Sequence, residues 1–184
     1  MAENGWHEKV LDFWFGELTD KDWFAGGEEL DAKIRDRFVA LHEELSKGAP
    51  AEAKTDPDAA LAAVIVYDQF SRNMYRKKPE AFSTDALALE VARHAIDQGF
   101  DRELDDRRRW FLYMPFQHSE VLADQERSVD FFKQIGNEEA IKYAVEHRDI
   151  IARFGRFPHR NRALGRESTP DEIAFLEGHK GFGQ

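Results

Sequence analysis

Apolar residues recur along this chain at helical spacing, and strand alternation is nearly absent. Trp6, Val10, Phe13 and Trp14 stand at i, i+4, i+7 and i+8, which predicts a first helix ending near Gly16. A polar turn is expected at 20–23. Ile34, Phe38, Leu41 and Leu45 share one face of a second helix over 28–47, stopped by Gly48. The stretch 48–55 reads as a loop. Asp56 followed by Pro57 reads as an N-cap with proline at the first helical position. The third helix is expected to run from there to Tyr75. Its stretch 59–67 is apolar all round, as in a helix buried on every side.

Lys77, Lys78 and Pro79 break that helix, and a fourth follows over 83–98 until Gly99. An arginine-led aromatic helix is expected over 107–114, ended by Pro115. The next spans 119–135 and stops at Gly136. Asn137 caps a helix to Phe154, where Gly155 is placed for a left-handed C-cap and Pro158 blocks continuation. Ser168, Thr169 and Pro170 open a last helix to about Glu177. The expected fold is all-α: one domain over 1–184, a stack of about eight mostly antiparallel helices around a buried central helix.

Composition narrows the classes. The 184 residues are 42% hydrophobic and 12% aromatic, enough for a core without staples. There is no cysteine, which excludes disulfides, thiolate metal sites and a cysteine nucleophile, and fits a reducing compartment. The first residues carry no basic segment followed by an apolar run, so no signal peptide is read there. No apolar stretch approaches a membrane span. The expected location is cytoplasmic, with no membrane and, at a net charge of -10, no nucleic acid as partner. No cofactor is expected. Charge is uneven, however. Residues 148–166 hold six arginines, one acid and no lysine. Guanidinium pairs bidentately with carboxylate or phosphate, so these arginines either pair with the chain's own acids or hold a ligand.

Candidate chemistry comes from polar residues on apolar stripes. Asp68 and Arg72 fall in line with Leu61, Val64 and Ile65 and can pair at i, i+4, with Gln69 and Asn73 beside them. On the helix capped by Asn137, the exposed face is Lys142, Glu146, Asp149 and Arg153. His147 falls among Tyr143, Ile150 and Phe154, and Arg148 among Ile141, Ala144, Val145 and Ala152. Over 119–135 the expected buried stripe is Val121, Leu122, Val129 and Phe132, with Gln125 in its middle. His118 either joins that stripe or sits just before an N-cap at Ser119, and Glu120 suits the helix dipole in the first turn. The loop 156–161 crowds Arg156, His159, Arg160 and Asn161 after the C-cap glycine.

The segments VLDFWFGE, YDQFSRNMYR, AFSTDALAL, FLYMPFQHSE and HRDIIARFGRFPHRNRALGRESTPDE resemble the bacterial domain-of-unknown-function family 924 over nearly the whole chain. The resemblance implies an all-α, TPR-like helical arrangement and no established activity. No 34-residue repeat with TPR consensus positions is present, so peptide binding does not follow.

Two functional readings result. In the first, a pocket binds a small anionic ligand, a carboxylate or phosphate. Arg72, Arg148, Arg156 and Arg160 would hold it, with Gln69, Asn73, Gln125 and Asn161 as further ligand-binding candidates. His118, His147 or His159 would act as general acid or base, with Asp68 orienting one of them. This requires the histidines to lie no further apart than the reach of a hydrogen-bond network, roughly 10 Å. In the second, the chain is a TPR-like interaction scaffold for an acidic protein partner or a second copy, and the polar group is purely structural. A metal site on His118, Glu120, His147 and His159 has suitable ligand types but no HExxH-like spacing, and no metal is expected. Glycine-rich phosphate loops and a nucleophile-elbow serine are absent from the sequence.

Overall fold

Helix formation starts from local signals that the structure uses as written. The computed structural model describes residues 5–179, 181 and 182; the ends of the expected 1–184 domain, at 1–4, 180, 183 and 184, lie outside the described residues. Asp56 Oδ1 accepts from the backbone N–H of Asp58 (2.8 Å) and Ala59 (3.1 Å), and Pro57 occupies the first turn. Asn137 Oδ1 accepts from Ala140 N at 3.0 Å, and Gly155 closes the same helix at φ 69°. Thr169 and Glu172 form a capping box.

The helices are α1 (6–17), α2 (Asp20–Ala25), α3 (Glu28–Leu45), α4 (57–74), α5 (Asp85–Asp97), α6 (Asp106–His118), α7 (Leu122–Ile135), α8 (Glu138–Phe154) and α9 (Pro170–Gly178). Among the described residues there is no strand. Short 3-10 turns at Ala51–Lys54, Pro79–Phe82, Phe100–Glu103 and Pro158–Arg160 join them. α4 is the central helix, packed by α1, α3, α5 and α6, and every residue from Ala59 to Asp68 is fully buried. Burial on all sides makes truncation costly: Leu61→Ala would cost about 2–5 kcal/mol. A second cluster joins Tyr113, Val129, Phe132, Ala140 and Ala144 across α6, α7 and α8. A third holds Ile150, Ile151 and Phe157, with Phe175 and Phe182 against it. No helix among the described residues is long and apolar enough to cross a membrane.

Several boundaries differ from expectation. Both α1 and α4 contain a π-helical turn, Asp12–Glu17 and Ile65–Phe70. The two turns meet where Phe13 and Trp14 pack against Phe70, with ring centroids 6.0 and 5.6 Å apart. A π turn takes up one extra residue, so positions beyond 65 rotate away from a simple 3.6-residue wheel. The expected polar turn at 20–23 is α2, started by the Thr19–Asp22 capping box. Pro115 does not end its helix. α6 runs through it to His118, because Phe111, Leu112, Phe116 and His118 are buried on both sides of it and packing outweighs the one lost hydrogen bond.

α7 starts at Leu122 instead of 119. Ser119 and Val121 are extended, and Gln125 Nε2 reaches back to the carbonyls of Gln117 (2.7 Å) and Ser119 (2.6 Å). Those bonds satisfy the C-terminal end of α6 and close the turn. Val121 and Leu122 are consequently 56% and 41% exposed, and the expected buried stripe begins further along, at Gln125, Ser128, Val129 and Phe132. Glu120 lies outside the helix and has no dipole role. It accepts from Phe157 N (2.8 Å) and Arg166 Nη1 (2.8 Å).

Candidate functional site

The π turn of α4 carries Asp68, which is fully buried. π turns inside α-helices recur at functional sites. Three donors converge on its carboxylate: His118 Nδ1 at 2.7 Å, Arg72 Nη1 at 3.1 Å and the Gln69 amide. Burial alone would raise the Asp68 carboxyl, but the Arg72 charge and the His118 hydrogen bond hold it well below the usual carboxylate range. Arg72 also grips Asp85 bidentately, at 2.9 and 3.1 Å. Arg160 donates to the His118 carbonyl at 3.0 Å and lies 3.5 Å from Asp85. Its guanidinium rests on Phe82 and Phe157. Burial, then the Arg72 charge, lowers Arg160 to about 10.

Asp85 is therefore a member of the site that sequence reasoning missed. As an acid in the first turn of a helix it carried an ordinary dipole explanation. His42 was missed too. It is buried and bonds Ser71 Oγ at 2.6 Å, and Ser71 passes on to Thr84 Oγ1 at 2.7 Å.

With Nδ1–H donated to Asp68, the His118 imidazole keeps its Nε2 bare. His147 does the same by a different route, donating Nδ1–H to the Tyr143 carbonyl at 2.8 Å. The two rings are 6.3 Å apart and line one cavity of about 460 Å³, together with Trp110, Met114, Tyr143 and Phe182. No other described residue bonds either Nε2. Burial, then the Arg72 charge, lowers the His118 pKa. Burial, then His118 itself, puts His147 well below its ordinary value. Both are neutral at pH 7. His159 packs between Phe157 and Phe182 with neither ring nitrogen bonded, and burial, then the Arg160 charge, lowers it to about 3. The three candidate histidines thus share one neighbourhood.

The remaining candidates divide. Arg156 is locked on Glu172 at 2.7 and 2.9 Å and on the Glu167 carbonyl. Asn161 donates to the same Glu172 and to Ser168. Asn73 belongs to a separate group, donating at 2.8 Å to Asp31, which Arg76 also binds. Gln125 ties α6 to α7, as described. Arg148 does not point into the core. It is partly exposed and pairs with its neighbour Asp149 at 2.8 Å, because its long side chain carries the charge out past the apolar face. Among the described residues no group of three or more acidic, histidine or cysteine side chains could hold a metal ion. A larger groove of about 570 Å³ over α8 contains none of the candidates.

Comparison with known proteins agrees with the fold. Residues 10–180 match the model of the DUF924 family, described as bacterial protein of unknown function. A solved structure of a protein of unknown function from Agrobacterium tumefaciens is 37% identical, with a TM-score of 0.88 over 94% of this chain and 97% of that one. No curated protein matches.

Proposed function

Because the chain belongs to the DUF924 family of bacterial proteins, which carries no assigned activity, its role has to be read from the site, and we propose that the cavity between α6 and α8 binds a small organic molecule. What carries this reading is the pair of neutral imidazoles, each with Nδ1–H committed inside the protein and Nε2 left for a shared cavity. The rest of the lining mixes aromatic and apolar residues (Trp110, Met114, Ala140, Tyr143 and Phe182) with Gln117 and Glu139, the usual make-up of a small-molecule site with a few oriented polar groups.

The geometry changes the ligand class expected from the arginines. Arg72, Arg156 and Arg160 are all engaged with the protein's own acids and carbonyls. Two bare ring nitrogens accept hydrogen bonds, so the fitting ligand is a donor: a hydroxyl or amine on an apolar body. A hydroxyl donating to His118 Nε2 would stand where a general base takes a proton, with Asp68 stabilising the imidazolium that forms.

The test is a titration with neutral alcohols and amines against carboxylates and inorganic phosphate, followed on the imidazole 15N signals. Alcohols or amines should shift His118 and His147. Phosphate binding with both imidazoles unmoved would overturn the reading. The scaffold alternative is favoured by the internal pairing of Arg72, Arg156 and Arg166, which makes the polar group self-sufficient. Under it, a TPR-like surface takes an acidic partner or a second copy, and Arg162→Glu, not a histidine change, abolishes association.

A further inference from the structure

Beyond α9, Gly181 and Phe182 lie against the cavity. Gly181 takes φ 69°, in the left-handed region that favours glycine, and Phe182 lands on α8. Its ring lies 3.7 Å from the His147 ring, centroid to centroid, with 18° between the planes. His159 and His179 meet it nearly perpendicularly at 5.4 and 5.0 Å, and Tyr143 at 6.4 Å. One apolar ring is thus boxed by four rings that each carry a polar atom.

That box is poorly matched to a phenyl group. The ring under it has an unbonded Nε2, and both nitrogens of His159 are buried without a partner. A buried acceptor without a donor is costly. A phenyl ring stacked on His147 offers the His159 nitrogens no partner, whereas a ring of the same size with an N–H or O–H on the side facing His159 supplies one. Among the described residues, the hydrogen bond that ties His179, Gly181 and Phe182 to the rest of the fold is His179 Nε2 to Glu146 Oε1, at 3.1 Å.

We propose that Phe182 occupies the place of a ligand's ring: the subsite over His147 takes a planar aromatic or heteroaromatic ring bearing an N–H or O–H, which displaces the C-terminal segment. This rests on the cavity reading above and specifies its ligand. Phe182 is then an internal competitor, and removing it strengthens ligand binding.

The experiment titrates the full chain and Phe182→Ala with four probes: phenol, indole, anisole (a ring without a donor) and cyclohexanol (a donor without a planar ring). A chain ending at Gly178 serves as the second variant. Phenol and indole should bind both variants about tenfold more tightly than the unmodified chain, the effect of losing a competitor worth about 1.4 kcal/mol. They should also shift the His159 ring nitrogens. Cyclohexanol equal to phenol would overturn the planar ring, and anisole equal to phenol would overturn the donor. Equal phenol affinity with and without Phe182 would overturn the displacement. Each of these leaves the cavity reading standing. No imidazole shift with any probe, in any of the three proteins, would sink both.

Discussion

Asp68 and His118, fifty positions apart in sequence, share a 2.7 Å hydrogen bond that joins the π turn of α4 to the last residue of α6. The same carboxylate pairs with Arg72, so one buried charge orients an imidazole and neutralises a guanidinium. Asp68→Asn keeps the shape and removes the charge. It should cost about 3 kcal/mol in urea denaturation, the low end for breaking a buried pair, because Asp85 still holds Arg72. A loss under about 1 kcal/mol would show that the pair is not buried as described.

Four imidazoles give stability a defined pH dependence. His42, His118, His147 and His159 all have folded pKa values below the ordinary 6.5. Below that value the unfolded chain binds more protons than the folded one. Stability is therefore full above about pH 6.5 and falls as the pH drops towards the folded values, about 3 for His159. Replacing His159 by Phe should flatten the slope between about pH 5 and 6 by up to about 1.4 kcal/mol per pH unit. Denaturation midpoints across that window decide it, and an unchanged slope refutes the neutral His159.

Glu172 collects Arg156, Asn161 and the Thr169 N–H around one buried carboxylate. Arg156→Ala strips the bidentate partner. Hydrogen exchange over 170–178 should accelerate at least about tenfold while α4 stays protected, since this group anchors the first turn of α9. Uniform acceleration across both helices would mean that α9 is integral to the global fold.

Arg148 provides the contrast. With its guanidinium on exposed Asp149, Arg148→Ala should change stability by no more than about 0.5 kcal/mol. A loss of several kcal/mol would restore the inward orientation expected from the helical wheel.

Legibility in the sequence followed the range of the physical signal. Asp56, Asn137, Gly155 and Thr169 act within one turn of their own position, and each ended or began a helix where expected. The Asp68–Arg72 pair was legible for the same reason, being one turn apart. Pro115 and the 119–121 turn were misread because their outcome depends on what α6 buries and on Gln125 reaching back across the turn.

The chain by itself determined an all-helical fold, the burial of α4, and which polar residues stand on apolar faces, because periodicity and capping are local and additive along a helix. Only the tertiary structure decided their partners. It put Asp85 between Arg72 and Arg160 and turned Glu120 to Arg166. It also set Phe182 on His147 and brought the His118 and His147 rings into the lining of one cavity. Those contacts join segments tens of residues apart, and a hydrogen bond forms only when packing brings both ends within about 3 Å.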